Sequence, residues 1–192
     1  MIGGLVLAAG GASRFGSPKQ LAELDGRPLL QHAVDAMLAV PAIDPVVVVL
    51  GAEAERVRAA VDLGEARSVV CHGWADGMAA SLRCGVEAVG DCDWVIVTLG
   101  DQPRVTPQVI AAVMDRAESA PAGTAAVRAT YDGAPGHPVA LGRAMLPRLA
   151  QLRGDAGARE LLGGADVRTF EAARLCDPAD VDTPEELEAL RT

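Results

Sequence analysis

The residues best suited to holding phosphate lie near the start of the chain. In Leu7-Ala8-Ala9-Gly10-Gly11-Ala12-Ser13-Arg14-Phe15-Gly16-Ser17-Pro18-Lys19, three glycines alternate with two cations. Gly10, Gly11 and Gly16 allow successive backbone N–H groups to face one concavity without a Cβ in the way, and such a nest attracts phosphate oxygens. Arg14 and Lys19 add full positive charges, and no Asp or Glu precedes Glu23. Lys19 is also the only lysine in the chain, against sixteen arginines. The plain alternative is an ordinary Gly-rich strand-to-helix turn, but the two cations and the acid-free surroundings favour a site for phosphate groups.

The spacing separates this loop from two common nucleotide motifs. Gly11 and Gly16 stand as in a Walker loop, yet Ser17 and Pro18 occupy the places where Lys and Ser/Thr are required, and no G-x-G-x-x-G is present. Both a P-loop ATPase and a dinucleotide enzyme are disfavoured. A second chemical position is Asp101, which follows Thr98-Leu99-Gly100 at the end of an apolar run. Its carboxylate is expected at the same sheet edge as the loop, where a phosphate-bound Mg²⁺ would give it a partner, although a turn-forming Asp before Gln-Pro is the simpler use.

Placing these residues needs a scaffold, and the hydrophobic pattern supplies one. Leu5–Ala8, Val46–Leu50, Ser68–Cys71 and Trp94–Leu99 read as buried strands, while Pro28–Leu38, Ala52–Val61, Met78–Val89 and Thr106–Glu118 carry helical spacing or helix-start signals. Strand and helix alternate, which implies an α/β protein with a mostly parallel sheet and helices on both faces, a three-layer Rossmann-like arrangement. The second half is less regular. Strand-like residues 125–130, a turn at Asp132-Gly133 and His137–Leu141 point to an antiparallel excursion, 166–170 to a late strand, and Thr183-Pro184 to an N-capped terminal helix.

At 192 residues and 50% hydrophobic, the chain has the size of one domain, expected to span 1–192. A formal net charge of −9 argues against nucleic acid as a partner, so any phosphate site must be local. Cys71, Cys84, Cys92 and Cys176 form no C-x-x-C pair and read as reduced cytosolic thiols. No apolar run reaches the roughly 18 residues needed to span a bilayer, so a cytoplasmic protein without a membrane partner is expected.

Leu7, Ala9, Gly10, Arg14, Gly16 and Lys19 match the pattern L-x-A-G-x-x-x-R-x-G-x-x-K of the nucleotidyltransferases that include the molybdenum-cofactor enzymes. Similarity continues through Trp74–Gly85, Gly100-Asp-Gln-Pro103, Gly136-His-Pro-Val139, Gly154–Leu162 and Asp180-Val-Asp-Thr-Pro184. Together these resemble the molybdenum cofactor cytidylyltransferase family. The resemblance implies transfer of CMP from CTP to the terminal phosphate of molybdopterin, with Mg²⁺ as cofactor and a molybdoenzyme or its chaperone as a possible recipient of the product.

The resemblance also implies roles for individual residues. Lys19, Arg14 and Asp101 would carry catalysis, and Asp182 would share the metal with Asp101, with Asp180 as a rival acid and helix capping as the rival role. Nucleotide contacts would come from Leu7, Ala8, Ala9, Gly10, Gly11, Ser13, Arg14 and Lys19, and from Gly77, Met78 and Ser81 at a helix start where small side chains let a base approach. His137, Asp155 and Arg159 would meet the pterin substrate. Other readings remain: GTP in place of CTP, a sugar or isoprenoid-precursor phosphate as acceptor, or a non-catalytic module that holds nucleotide or molybdenum cofactor for delivery.

Overall fold

The fold was analysed in a computed structural model that describes residues 1–11, 15–154 and 162–191. A seven-stranded sheet forms the middle layer. In chain order its strands are β1 (Ile2–Ala8), β4 (Val46–Leu50), β5 (Arg67–Val70), β6 (Trp94–Leu99), β7 (Ala126–Tyr131), β8 (Ala134–Gly142) and β9 (Val167–Glu171), and a separate small ribbon pairs β2 (Glu23–Leu24) with β3 (Arg27–Pro28). Across the sheet the order is β5-β4-β1-β6-β8-β7-β9. Neighbours are parallel except where β8 runs against β6 and β7.

That reversal is the expected antiparallel excursion. It is made by a two-residue turn in which Asp132 (φ 50°) and Gly133 (φ 80°) both adopt the left-handed conformation that suits a tight hairpin. β1 begins earlier than its apolar run suggested. Gly3 and Gly4 extend it because a Cβ on Gly3 would lie 2.4 Å from Val89 and one on Gly4 2.8 Å from Ile43, so bare backbone is what lets the outer layers close on this strand.

Helices α1 (Leu29–Leu38), α2 (Ala54–Ala60) and α4 (Pro107–Glu118) cover one face of the sheet, and α3 (Met78–Val89) covers the other. β1 shows the alternation that feeds both layers: Ile2, Val6 and Ala8 pack with Met37, Val57 and Ile110, whereas Leu5 and Leu7 pack with Leu82 and Val89. A short terminal helix, α5 (Pro184–Ala189), sits on a third cluster formed by Leu24, Leu29, Val181 and Leu187. Among the described residues no helix is long and apolar enough to cross a membrane.

Candidate active site

β1 and β6 are adjacent parallel strands in register from Ile2↔Trp94 to Leu7↔Leu99, so their following loops leave from one sheet edge. Gly100 N–H donates to Leu7 O at 2.9 Å, and a Cβ on Gly100 would come within 3.0 Å of both Ala8 and Leu30. Glycine here keeps the two strand ends in contact. Asp101 therefore emerges beside the Gly-rich loop, as its position in the chain predicts.

Lys19 returns to that edge on a single 3-10 turn, Lys19–Leu21. Its Nζ donates to Asp101 Oδ2 at 2.6 Å and to Asp182 Oδ1 at 2.7 Å. Burial alone would push the ammonium down, but Asp101 and Asp182 more than offset it and hold the Lys19 pKa above its ordinary value. The sequence reading gave Asp101 a metal as partner and Lys19 a phosphate; the structure pairs these side chains with one another. The second oxygen, Asp101 Oδ1, is buried and has no hydrogen-bond partner among the described residues.

Asp182 owes its place to the start of α5. Thr183 caps that helix, accepting from Glu186 N at 3.2 Å, while Glu186 Oε2 accepts from Thr183 N at 2.9 Å and Asp182 N at 2.7 Å. Thr183 thus takes the capping role, and the Asp182 carboxylate is turned to Lys19. The neighbouring Asp180 is instead held by Gln102, whose Nε2 donates to Asp180 Oδ1 at 2.7 Å. Burial, reinforced by the charge on Asp101, raises the Asp180 pKa.

These acids line a cavity of about 480 Å³. Its lining combines Leu7, Ala8, Ala9, Gly10 and Gly11 of the loop, the charged group Lys19, Asp101, Asp180 and Asp182, and Trp74, Gly77, Met78 and Ser81 at and before the start of α3. Eleven of the residues put forward from sequence are therefore gathered here, counting Leu7 through Gly11, Lys19, Gly77, Met78, Ser81, Asp101 and Asp182. Ser13, Arg14, Asp155 and Arg159 lie outside the described residues.

Gly16, at φ +70°, shares a second cavity of about 360 Å³ with Gly10, Ser17, Pro18, Gln20 and Arg56, so that Gly10 lines both cavities while Gly11 lines only the first. At the start of α3, Ala79 N donates to Gly154 O at 3.1 Å, so this N–H is taken and the chain before residue 155 docks there. His137 stands on β8 outside the cavity lining. Burial, with the Arg128 charge as a lesser cause, lowers its pKa to about 4, so it is neutral at physiological pH.

Gln20 was missed. It is 4% exposed, and its Nε2 donates to Ala8 O at 2.8 Å and Gly10 O at 2.9 Å, which fixes the bend of the loop. Nothing in its residue type or spacing marks that job. Trp74 was visible only as part of a motif; its ring packs so tightly under the loop that a Cβ on Gly11 would lie 2.7 Å from it.

Among the described residues no group of three or more His, Cys, Asp or Glu side chains is placed to hold a metal. The Asp101 and Asp182 pair nevertheless fits a hard divalent cation that draws its remaining ligands from water and phosphate, and the unpartnered Asp101 Oδ1 is a donor in reserve.

Comparison with known proteins places the chain among relatives of the same family and fold. Residues 4–171 match the family model described as MobA-like NTP transferase domain. The chain is 32% identical over 191 residues to nicotine blue oxidoreductase of Paenarthrobacter nicotinovorans, covering 96% of this chain and 93% of that one. The crystal structure of Rv0371c from Mycobacterium tuberculosis H37Rv superposes with a TM-score of 0.87 at 33% identity, covering 99% of this chain and 97% of the other. A complex of Rv0371c with manganese gives 0.78 at 32% identity over 98% and 97%.

Proposed function

The chain belongs to the MobA-like NTP transferase domain family, and from that premise we propose that it transfers CMP from CTP to the terminal phosphate of molybdopterin with release of pyrophosphate. The observation that carries the reading is Lys19 between Asp101 and Asp182 at the foot of the Gly-rich loop. The choice of CTP and of a pterin acceptor rests on Leu7-Ala-Ala-Gly10 and on the later motifs that resemble the cytidylyltransferases.

In this reaction an oxygen of the acceptor phosphate attacks the α-phosphorus in line. The bond from that phosphorus to the bridging oxygen of the β-phosphate breaks, and pyrophosphate leaves with the electron pair. The nucleophile is already anionic, so no general base is needed; the protein has to supply position and positive charge. Amides of the Ala8–Gly11 loop, shaped by Gln20, would orient the triphosphate. Lys19, charged throughout the physiological range, would stabilise the triphosphate and the departing pyrophosphate, together with Arg14. Asp101 and Asp182 would hold Mg²⁺, whose chemistry here is neutralisation of charge on phosphate oxygens. His137, Asp155 and Arg159 would meet the pterin, and Gly154, tied to Ala79, brings the chain before Asp155 next to Gly77 and Met78 of the cavity lining.

The test is incubation with CTP, Mg²⁺ and molybdopterin, with and without molybdenum, followed by mass detection of a cytidylated pterin and assay of pyrophosphate. A panel of all four triphosphates sets base choice, and sugar and isoprenoid-precursor phosphates test the acceptor. A second reading, an oxidoreductase, is favoured by the name of the full-length P. nicotinovorans relative. Substrate-dependent oxidation of a reduced nicotinamide or flavin, without pyrophosphate release, would replace the transferase reading with it.

A further inference from the structure

Lys19 and Asp101 are each followed by a glutamine that is 4% exposed, and Gln20 and Gln102 are both buried polar residues of the fold. Gln20 lines the cavity, whereas Gln102 does not. The Gln102 amide nitrogen donates to Pro178 O at 3.0 Å and to Asp180 Oδ1 at 2.7 Å, contacts that reach 76 and 78 positions along the chain. Its Oε1 is buried without a hydrogen-bond partner among the described residues. The two acceptors fix the amide's orientation, since the flipped group would set oxygen against two oxygens.

Beside this contact, Val181 N donates to Asp101 O at 3.0 Å, and the Val181 side chain is fully buried with Leu24, Leu29 and Leu187. The segment from Pro178 to Asp182 is thus pinned to the end of β6 by one side chain and one backbone bond, just where its last residue must meet Lys19 and Asp101.

We propose that Gln102 is a positioning residue that sets the separation of Asp101 and Asp182, and so the affinity of that pair for a divalent cation. The proposal rests on the reading that these two carboxylates share a metal. Gln102 works on Asp182 through the Pro178–Asp182 backbone, so its contribution exists only while Asp182 carries a carboxylate. Residues that orient metal ligands commonly change affinity by about 10- to 100-fold when replaced.

The test is Mn²⁺ binding to the intact protein in the presence of CTP, read from the electron paramagnetic resonance signal of free Mn²⁺, for wild type, Gln102→Met, Asp182→Ala and the double variant. Gln102→Met keeps the length of the side chain and removes both donors. The expected result is an affinity about tenfold weaker for Gln102→Met, and no further loss when that change is added to Asp182→Ala. Gln102→Glu, which faces Asp180 with a second carboxylate, serves if the Met variant does not fold, and is expected to weaken Mn²⁺ at least as much.

Wild-type affinity in a folded Gln102 variant overturns the proposal while leaving the shared-metal reading intact. Equal, additive losses in the two Asp182 backgrounds also overturn it, because Gln102 then acts elsewhere. Absence of Mn²⁺ binding by the wild type removes the metal reading itself and the proposal with it.

Discussion

Lys19 Nζ lies 2.6 Å from Asp101 Oδ2, joining the far end of the Gly-rich loop to the end of β6 across 82 positions of the chain. The contact makes Asp101 both an anchor for Lys19 and, in the proposed reaction, a metal ligand. Asp101→Ala is expected to lower pyrophosphate release from CTP by 10²-fold or more, as roughly found when a key charge-stabilising group is removed. The circular dichroism spectrum should stay that of the wild type. Near-normal turnover would remove Asp101 from the chemistry.

Lys19→Ala removes the only lysine from the charged group lining the cavity. A charge-assisted contact to phosphate is lost, so the Kd for CTP in calorimetry should rise about tenfold or more. An unchanged Kd at low ionic strength would leave the lysine as a structural counter-ion to Asp101 and Asp182 and nothing else.

Gln20→Leu keeps the bulk of the side chain but strands the carbonyls of Ala8 and Gly10, each of which now receives a hydrogen bond from it. An unsatisfied buried acceptor such as Ala8 O costs on the order of 1–3 kcal/mol, measurable by urea unfolding. The loop should bind triphosphate less well, raising KM for CTP more than it lowers kcat. A fall in kcat alone would contradict a role in shaping the loop.

Gly51 tests the packing behind Ala9 and Trp74, which line the site. A Cβ there would stand 2.2 Å from Ala9 O and 2.8 Å from the Trp74 ring, and a backbone carbonyl cannot move aside cheaply. Gly51→Ala is expected to cost about 1–3 kcal/mol or more by overpacking. It should also weaken CTP binding, since relief comes by shifting Ala9. Wild-type thermal stability would show that the loop is looser than the geometry indicates.

His137 supplies a pH dependence of known sign. Its pKa is about 4 in the folded protein against 6.5 for an unperturbed histidine. Between those values the unfolded chain binds a proton that the folded chain does not, so stability falls as pH drops from about 6.5 to about 4, by up to about 3 kcal/mol, and this contribution stops changing below that window. Carboxylates titrate nearby, which makes the difference between wild type and His137→Gln the informative quantity. Parallel stability curves for the two proteins across pH 6.5 to 4 would contradict the burial of His137 as the cause.

Much of the fold could be read from the chain because its elements announce themselves locally. Val46–Leu50 and Trp94–Leu99 are unbroken apolar runs and have those same bounds in the structure, as does the helix Met78–Val89. Asp132-Gly133 marked the hairpin, because few residues other than Gly, Asn and Asp tolerate the left-handed backbone it needs. The early half of β1 was not legible, since Gly3 and Gly4 carry no apolar signal and earn their place only through what packs against them.

The site divides along the same line. Local chemistry marked where a phosphate site and an acid at the end of a strand would fall, because glycine conformation, charge and strand termination depend on neighbours in the chain. That Lys19 would bridge Asp101 and Asp182, that Asp180 would turn to Gln102, that Gly10 and Gly16 would line a second cavity and that Gln20 would brace the loop depended on the fold. Lys19 and Asp182 are 163 positions apart, and no local propensity encodes the distance between them; it is set by the register of β1 on β6 and by the capped start of α5.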